Sequence, residues 1–390
     1  MKTLIELYDE RPLENVMSTE MFLPEKTVFI CDRQTAANTK LHKKLKEYFR
    51  SRNIDSELIF MEASHYSAAS ILKTLKIAVS TYPDCVLDIS GGTDDTLFAA
   101  GRLCGEKDIP VITYSRKRNR YFSINNAAFA DNLECTLNYR TCDFFRMAGG
   151  EMRQGRVDNG ILNGYFDIID PYFRIFLDNR RKWGDITAYF QRASQLPRDR
   201  EITMDVCADF TVKGDRGRRI EAPVDALKSF EKIGMIYDLR ITDKVCFTFR
   251  DKQCRTWLRD VGSVLEIYIY KLCVECGLYN DVHTSVVVDW EKGVRTDSVT
   301  NEIDVMAVRG VLPVFISCKT CPVSTEALNE LAILRDRFGG KGARAAIVTT
   351  ENGTAVMRNR AHELDIDVIE LQDFTRGNVK KRIESIVRSR

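Results

Sequence analysis

The chain has almost no net charge, no long apolar run and no glycine-rich nucleotide loop. Its 390 residues carry 58 Lys and Arg against 56 Asp and Glu, a formal charge of +2, so no global basic field marks a nucleic-acid binder, although a local basic groove is compatible with that total. No apolar segment reaches membrane-spanning length, and the opening MKTLIELYDERP puts acids where a signal peptide needs an apolar stretch. These absences predict a cytoplasmic protein with no membrane partner. Neither GxxxxGK(S/T) nor GxGxxG follows the first apolar run, which argues against an ordinary nucleotide-binding module. Internal repeats and low-complexity segments are missing too.

Twelve cysteines are present, but they are scattered and mostly sit in apolar runs, as at Cys31, Cys85 and Cys246. Small buried thiols in a reducing compartment are expected, with no disulfides. Two CxxC pairs, Cys273/Cys276 and Cys318/Cys321, raise the question of zinc. The first falls in a helical pattern, the second flanks Lys319, and the gap between them exceeds common zinc-ribbon spacing, so zinc is not expected.

At this length, with 44% hydrophobic residues, two or three domains are expected. Over residues 1–145, the apolar runs TLIELY, TVFIC, ELIF, CVLDIS and VITYS alternate with helical patterns such as LHKKLKEYFRSR. That rhythm predicts a parallel, doubly wound sheet whose ligands bind at the carboxyl ends of the strands near a switch point. The loops to watch are DERPLEN, DRQTAAN and SGGTDD. Residues 146–250 read as a connector: helices, the basic stretch KGDRGRR, a short helix and a strand pair, together winged-helix-like. Residues 251–390 open with one long helix, QCRTWLRDVGSVLEIYIYKLCVECG, followed by strands and helices of a second α/β unit.

Within that last unit, NEIDVMAVRGVLPVFISCKT (301–320) reads as two strands and a tight turn. A hairpin there sets Asp304 beside the strand end that carries Lys319. A carboxylate beside a lysine is most often a plain salt bridge. Three further acids change the weighing. Glu266 lies on an apolar helical stripe, a poor place for an acid unless it faces a polar cavity. Glu302 shares the Asp304 face, and Glu326 opens the next helix. Oxygen donors converging with one lysine suit Mg²⁺ or Mn²⁺, with Asp304, Glu266 and Glu326 as the metal ligands. Such a site hydrolyses phosphodiesters by electrostatics, without a covalent intermediate.

Glu266 on a helix, N-E-I-D at 301–304 and S-C-K at 317–319 together resemble the PD-(D/E)XK restriction-endonuclease fold. With D-I-S-G-G-T at 88–93, the likeness extends over nearly the whole chain to the CRISPR-associated ancillary nucleases in which a CARF sensor is fused to such a domain. The resemblance implies a Rossmann-like CARF domain, a winged-helix-like connector and a restriction-endonuclease-like α/β domain. It also implies a homodimer that binds a cyclic oligoadenylate, cyclic tetra-adenylate first, and is thereby activated allosterically to cut DNA or RNA, single strands favoured, in type III CRISPR antiviral defence. One position departs from the pattern. Ser317 stands where the family has a metal-binding acid, and the resemblance implies replacement by Glu326, then by Glu330 one turn on, or by Glu302. A ligand-responsive nucleic-acid-binding regulator with a degenerate, non-cleaving core is the alternative.

For the sensor, the resemblance points to the SGGT loop. Gly91 and Gly92 let backbone amides approach a phosphate or ribose, and the following helix offers free N–H groups. Ser90, Thr93 and Asp94 belong to the same loop, while Asp9, Glu10, Arg33, Gln34 and Thr35 share that end of the sheet. Arg116 and Lys117 are expected to supply positive charge. In the connector, Arg180, Arg181, Lys182 and Trp183 are either a nucleic-acid groove with base stacking or a solvated helix face.

Overall fold

The structure is a computed structural model and describes residues 1–64, 67–154, 159–195, 204–214, 217–290 and 300–388. The first sheet contains β1 (Thr3–Leu7), β2 (Lys26–Cys31), β3 (Glu57–Glu62), β4 (Cys85–Asp88), β5 (Val111–Ser115), β6 (Arg120–Asn125) and β7 (Leu133–Glu134). They lie in the order β3-β2-β1-β4-β5-β6-β7. The first five are parallel, and β6 and β7 add antiparallel at the edge. Every residue of β1 is buried, as a parallel sheet covered on both faces requires. Because the chain runs outward from β1 to β3 and then returns to β4 on the other side of β1, the loops after β1 and β4 flank the switch point.

A short strand, β8 (Glu151–Gln154), lies beyond the expected 145/146 division, yet it pairs with the C-terminal sheet described below. Helices Phe166–Asp178 and Trp183–Ala193 follow, then β9 (Asp205–Asp209), β10 (Thr211–Lys213) and β11 (Arg219–Glu221), helix Val224–Lys232, β12 (Ile236–Ile241) and β13 (Lys244–Phe249). Strands β10 and β11 form a ribbon, and β12-β13-β9 an antiparallel sheet. Cys207 and Cys246 stand directly opposite each other on β9 and β13 and are disulfide-bonded, which corrects the expectation of free thiols throughout. Their separation of 39 residues hid a pairing that only strand register reveals.

Trp183 is also corrected. It is 2% exposed, packs among Tyr172, Phe176 and Phe230, and donates its Nε1–H to the Val261 carbonyl at 3.2 Å, so it presents no face to a base. Arg180 is drawn to Glu351 at 3.3 Å, whereas Arg181 and Lys182 are exposed.

The C-terminal sheet adds β14 (Asp281–Asp289), β15 (Thr300–Arg309), β16 (Leu312–Lys319), β17 (Arg344–Thr349) and β18 (Ile366–Ile369), in the order β18-β17-β16-β15-β14-β8. Strands β14 to β16 are antiparallel, and β16 to β18 parallel. Helix Ser263–Glu275 packs on one face against Val305 and Ile316, and helix Thr325–Phe338 on the other against Phe315 and Ile347. The second core is continuous with the first domain, since Leu4, Leu13 and Phe29 belong to the same buried cluster as Phe315 and Leu334. The two sheets are thus joined by packed side chains, which transmit displacement as a loose linker would not.

The single long helix expected after residue 252 is instead two, Lys252–Leu258 and Ser263–Glu275. Asp260 explains the break. Its Oδ1 accepts from the backbone N–H of Gly262 at 2.9 Å and of Ser263 at 2.8 Å, and from Ser263 Oγ at 2.9 Å, starting a new helix where the old one stops.

Candidate functional site

Register carries the acids to the lysine. Val305 faces Ile316 across the β15–β16 hairpin, which brings Asp304 to the Ser317–Lys319 segment. Asp304 Oδ2 accepts from the Cys318 backbone N–H at 2.6 Å and from Ser317 Oγ at 3.1 Å, and lies 3.5 Å from Lys319 Nζ. Ser317 therefore orients the acid by donating to it. Burial pushes the Asp304 carboxyl above its ordinary range despite the opposing Lys319 charge and these donors. Burial pulls the Lys319 ammonium down, but the charge and hydrogen bond of Asp304 together with Cys318 and Glu266 outweigh it, and the net shift is upward.

Glu266, on helix Ser263–Glu275, is electrostatically coupled to the same groups. Desolvation, followed by the charges of Asp304, Asp260 and Glu302, raises its carboxyl to about 8, with only Lys319 pulling the other way. It makes no hydrogen bond or ion pair among the described residues. Glu302 accepts a hydrogen bond from Ser285 Oγ. A cleft of about 40 Å³ is lined by Glu302, Asp304, Ser317, Lys319 and Glu330, large enough for an ion or a water. Glu266, Glu302, Asp304 and Lys319 are thus electrostatically one cluster.

Glu326 is not in it. Its side chain is exposed, turned back to its own backbone N–H and the Ser324 hydroxyl, which hold it below the ordinary carboxylate range. Glu330, one turn further, lines the cleft and accepts from Asn301 Nδ2 at 2.7 Å. Glu326 and Glu330 share one helix face and differ by a turn along its axis: Glu326 lies at the orphan N–H groups of the first turn, whereas Glu330 is level with the cleft. Among the described residues no three of His, Cys, Asp and Glu come together as a metal cage, so the expected set of Asp304, Glu266 and Glu326 does not form one. The donor chemistry still fits a hard divalent ion. Glu266, partnerless and crowded by acids, and Asp304 are oxygen donors, and Mg²⁺ is commonly bound by one or two carboxylates with water completing the shell.

At the sensor end, a cavity of about 780 Å³ opens beyond β1 and β2, lined by Tyr8, Glu10, Arg11, Gln34, Thr35 and Lys44 among others. Ser90 is turned inward, donating its N–H and Oγ–H to Asp88 Oδ1 at 2.7 and 2.5 Å. Gly91 lies so close to β1 that a Cβ there would sit 3.0 Å from the Leu7 carbonyl, and Gly92, at φ +91°, has room for none. Thr93 caps helix Asp94–Glu106, and the exposed Asp94 begins it. Ser90, Gly91, Gly92, Thr93, Asp94 and Arg33 do not line the cavity, which brings together only Glu10, Gln34 and Thr35 of the expected set. Arg116 is committed to Glu14 by an ion pair.

Asp9 binds neither space directly. Its Oδ2 holds Lys341 Nζ at 2.7 Å, and Glu14 Oε1 accepts the Lys341 backbone N–H at 3.2 Å. Lys341 follows helix Thr325–Phe338, whose Glu330 lines the cleft and whose Asp336 and Arg337 line the sensor cavity. No signal in the sequence marked Lys341, because its partner lies more than three hundred residues away.

With this geometry in place, likeness to known proteins is informative. Residues 251–389 match the family described as Card1-like, endonuclease domain. The match takes in the C-terminal third of the chain. Over 99% of the chain and 98% of its own, protein VC1899 from Vibrio cholerae shares the fold at 17% identity and a TM-score of 0.76. Can2 from Sulfobacillus thermosulfidooxidans, solved in complex with cyclic tetra-adenylate, does so over 100% of this chain and 98% of its own, at 16% identity and a TM-score of 0.70. No curated protein matches in sequence. Over its whole length the chain shares the fold of these two proteins, and its C-terminal part matches the Card1-like endonuclease-domain family.

Proposed function

We propose that this protein is a homodimeric, divalent-metal-dependent endonuclease of PD-(D/E)XK type, switched on by cyclic tetra-adenylate and cutting DNA or RNA with single strands favoured. The observation that carries this reading is the pairing of Asp304 and Lys319 in one cleft, with Glu266 close enough to feel both charges, within the region that matches a Card1-like endonuclease domain. Asp304 and Glu266 would hold Mg²⁺ or Mn²⁺, with Glu302 and Glu330 at the rim. A bound ion would polarise the scissile phosphate and supply an acidified water. Lys319 holds a proton at Nζ beside the reacting phosphate, and its charge opposes the negative charge that develops there. Ser317 and the Cys318 N–H fix the Asp304 carboxylate so that no reorganisation is needed during the reaction.

The activator reading is supported by the shared fold with Can2 and by the sensor cavity at the carboxyl ends of β1 and β2. A ligand there would reach the cleft through the Asp9–Lys341 pair and helix Thr325–Phe338. The test is cleavage of labelled single-stranded DNA and RNA with Mn²⁺ or Mg²⁺, with and without cyclic tetra-adenylate, comparing wild type, Asp304→Ala and Lys319→Ala. Metal-dependent cutting lost in both variants supports the reading. Strand binding with no cutting under any condition assigns the chain to ligand-responsive binding proteins.

A further inference from the structure

The break between helices Lys252–Leu258 and Ser263–Glu275 does more than redirect the chain. Beside it opens a cavity of about 450 Å³, lined by Gln191, Arg192, Gln195, Arg259, Asp260 and Ser263. Its lining holds two arginines, Arg192 and Arg259. Arg259 Nε is sealed from solvent and has no hydrogen-bond partner among the described residues, and the same holds for Arg255 Nε one turn earlier, on a side chain only 8% exposed. Arg255 Nη2 has only the Ser194 carbonyl, at 3.4 Å. Burial, and then the neighbouring Arg259 charge, pull the Arg255 guanidinium down from its ordinary value, and burial does the same to Arg259. Two desolvated guanidiniums that repel each other, with no ion pair to a described carboxylate, are costly unless an anion joins them. The one acid in the lining, Asp260, has its Oδ1 turned into the helix start.

The position of the cavity bears on which anion it would take. Ser263 is in its wall, and Glu266, one turn along the same helix, belongs to the acidic cluster of the cleft. A Cβ on Gly262 would lie 3.1 Å from Glu266 Oε1 and 3.6 Å from Asp260 Oδ1, so the Glu266 carboxylate lies beside the cavity-lining Asp260 while it also feels the charges of Asp304 and Lys319. Guanidinium forks with glutamine amides are the donor set that takes up phosphate oxygens. We propose that the cavity lined by Arg192 and Arg259, with Arg255 one turn before Arg259, is a subsite for a non-scissile phosphate of the nucleic-acid strand lying in the cleft. This rests on the endonuclease reading for the identity of the strand. Within that reading the subsite holds the strand in register while the acids act on the neighbouring linkage.

The test uses the full-length protein and a fluorescein-labelled single-stranded oligonucleotide, with binding read by anisotropy in EDTA over a series of salt concentrations. Arg259→Gln is expected to weaken binding about tenfold and to lower the slope of log affinity against log salt by about one. Arg259→Lys should recover the slope, since it keeps the charge, but only part of the affinity. Arg192→Gln, on a separate helix, carries the same expectation, so a folding defect at position 259 does not remove the test. The same strand is then offered with Mn²⁺ and cyclic tetra-adenylate, where KM is expected to rise about tenfold in Arg259→Gln with a smaller change in kcat. Wild-type affinity, slope and KM in both glutamine variants overturn the subsite while leaving the endonuclease intact. Binding lost in the variants, with a wild type that never cuts, upholds the phosphate site and overturns the endonuclease instead.

Discussion

Two pairs of buried acids in this molecule look alike in the sequence and behave oppositely in the structure. In the sensor sheet, Glu6 and Asp88 are register partners on β1 and β4, at 1% and 2% exposure. Burial raises both carboxyls, and Thr19 and the Ser90 group supply hydroxyl and N–H donors. In the C-terminal domain, Glu266 and Asp304 are raised for the same first reason, yet Asp304 lines a cleft with Lys319, and Glu266 feels both charges. The difference is the open side and the cation. A sealed acid can relieve its desolvation only by keeping a proton, whereas an acid at a cleft can exchange that proton for a metal. Raised carboxyls alone do not mark a site; access and a charge partner do.

The largest effect should come from the lysine and its acid. Asp304→Ala or Lys319→Ala is expected to lower the initial cleavage rate by at least about 10²–10³-fold, with the circular dichroism spectrum unchanged. A loss of less than tenfold in both would place the chemistry elsewhere and erase the contrast with the sensor pair. Next is the junction between the regions. Lys341→Ala removes the ammonium that Asp9 holds, and the stimulation of cleavage by cyclic tetra-adenylate is expected to fall about five- to tenfold, as for a coupling of 1–2 kcal/mol. Rates measured with and without ligand give the ratio directly. An unchanged ratio would mean that the signal bypasses this contact.

The pH dependence sharpens the comparison further. Folded Glu266 keeps its proton up to about pH 8, whereas its ordinary value is 4.5. The proton-linked stability is therefore whole below about pH 4.5 and is lost as the pH rises to 8. Metal-free wild type should lose on the order of 2 kcal/mol between pH 5 and 8 relative to Glu266→Gln, measured by urea unfolding. Mn²⁺ affinity should move the other way and increase with pH up to about 8, because binding must displace that proton. Parallel curves for the two proteins would show that Glu266 does not carry the shift.

Much of this arrangement was legible in one dimension because local patterns carried it. Alternating apolar runs fixed the doubly wound sheet, and the hairpin at 301–320 set Asp304 beside Lys319 by register. Glu266 was conspicuous as an acid on an apolar stripe. What was not legible depends on long-range meetings. The turn that puts Glu330 rather than Glu326 into the cleft depends on where helix Thr325–Phe338 sits against the sheet. The Cys207–Cys246 bond follows from a strand register, and the burial of Trp183 from a helix pair that no periodicity distinguishes from a solvated face. The helix break at Asp260 was written in the residues as an acid two positions before Gly262, but the apolar rhythm on both sides masked it.

The smallest effect is expected from Glu6→Gln, the sensor-side counterpart of Glu266→Gln. Glu6 Oε1 accepts from Thr19 Oγ1 at 2.9 Å, and an amide oxygen can take over that bond, while Oε2 has no partner to lose. If the carboxyl is protonated in the folded state, as its burial and the Asp88 charge favour, the substitution replaces one neutral group by another of equal shape. Melting at neutral pH should then shift by no more than about 1 kcal/mol, and cleavage by less than about twofold. Because the raised carboxyl stabilises the fold at low pH and loses that contribution as the pH rises, any gain in Glu6→Gln should appear at the alkaline end. A collapse of cleavage in Glu6→Gln to the level of Asp304→Ala would mean that the sealed pair communicates with the cleft, and that sealing and access are not what separates the two.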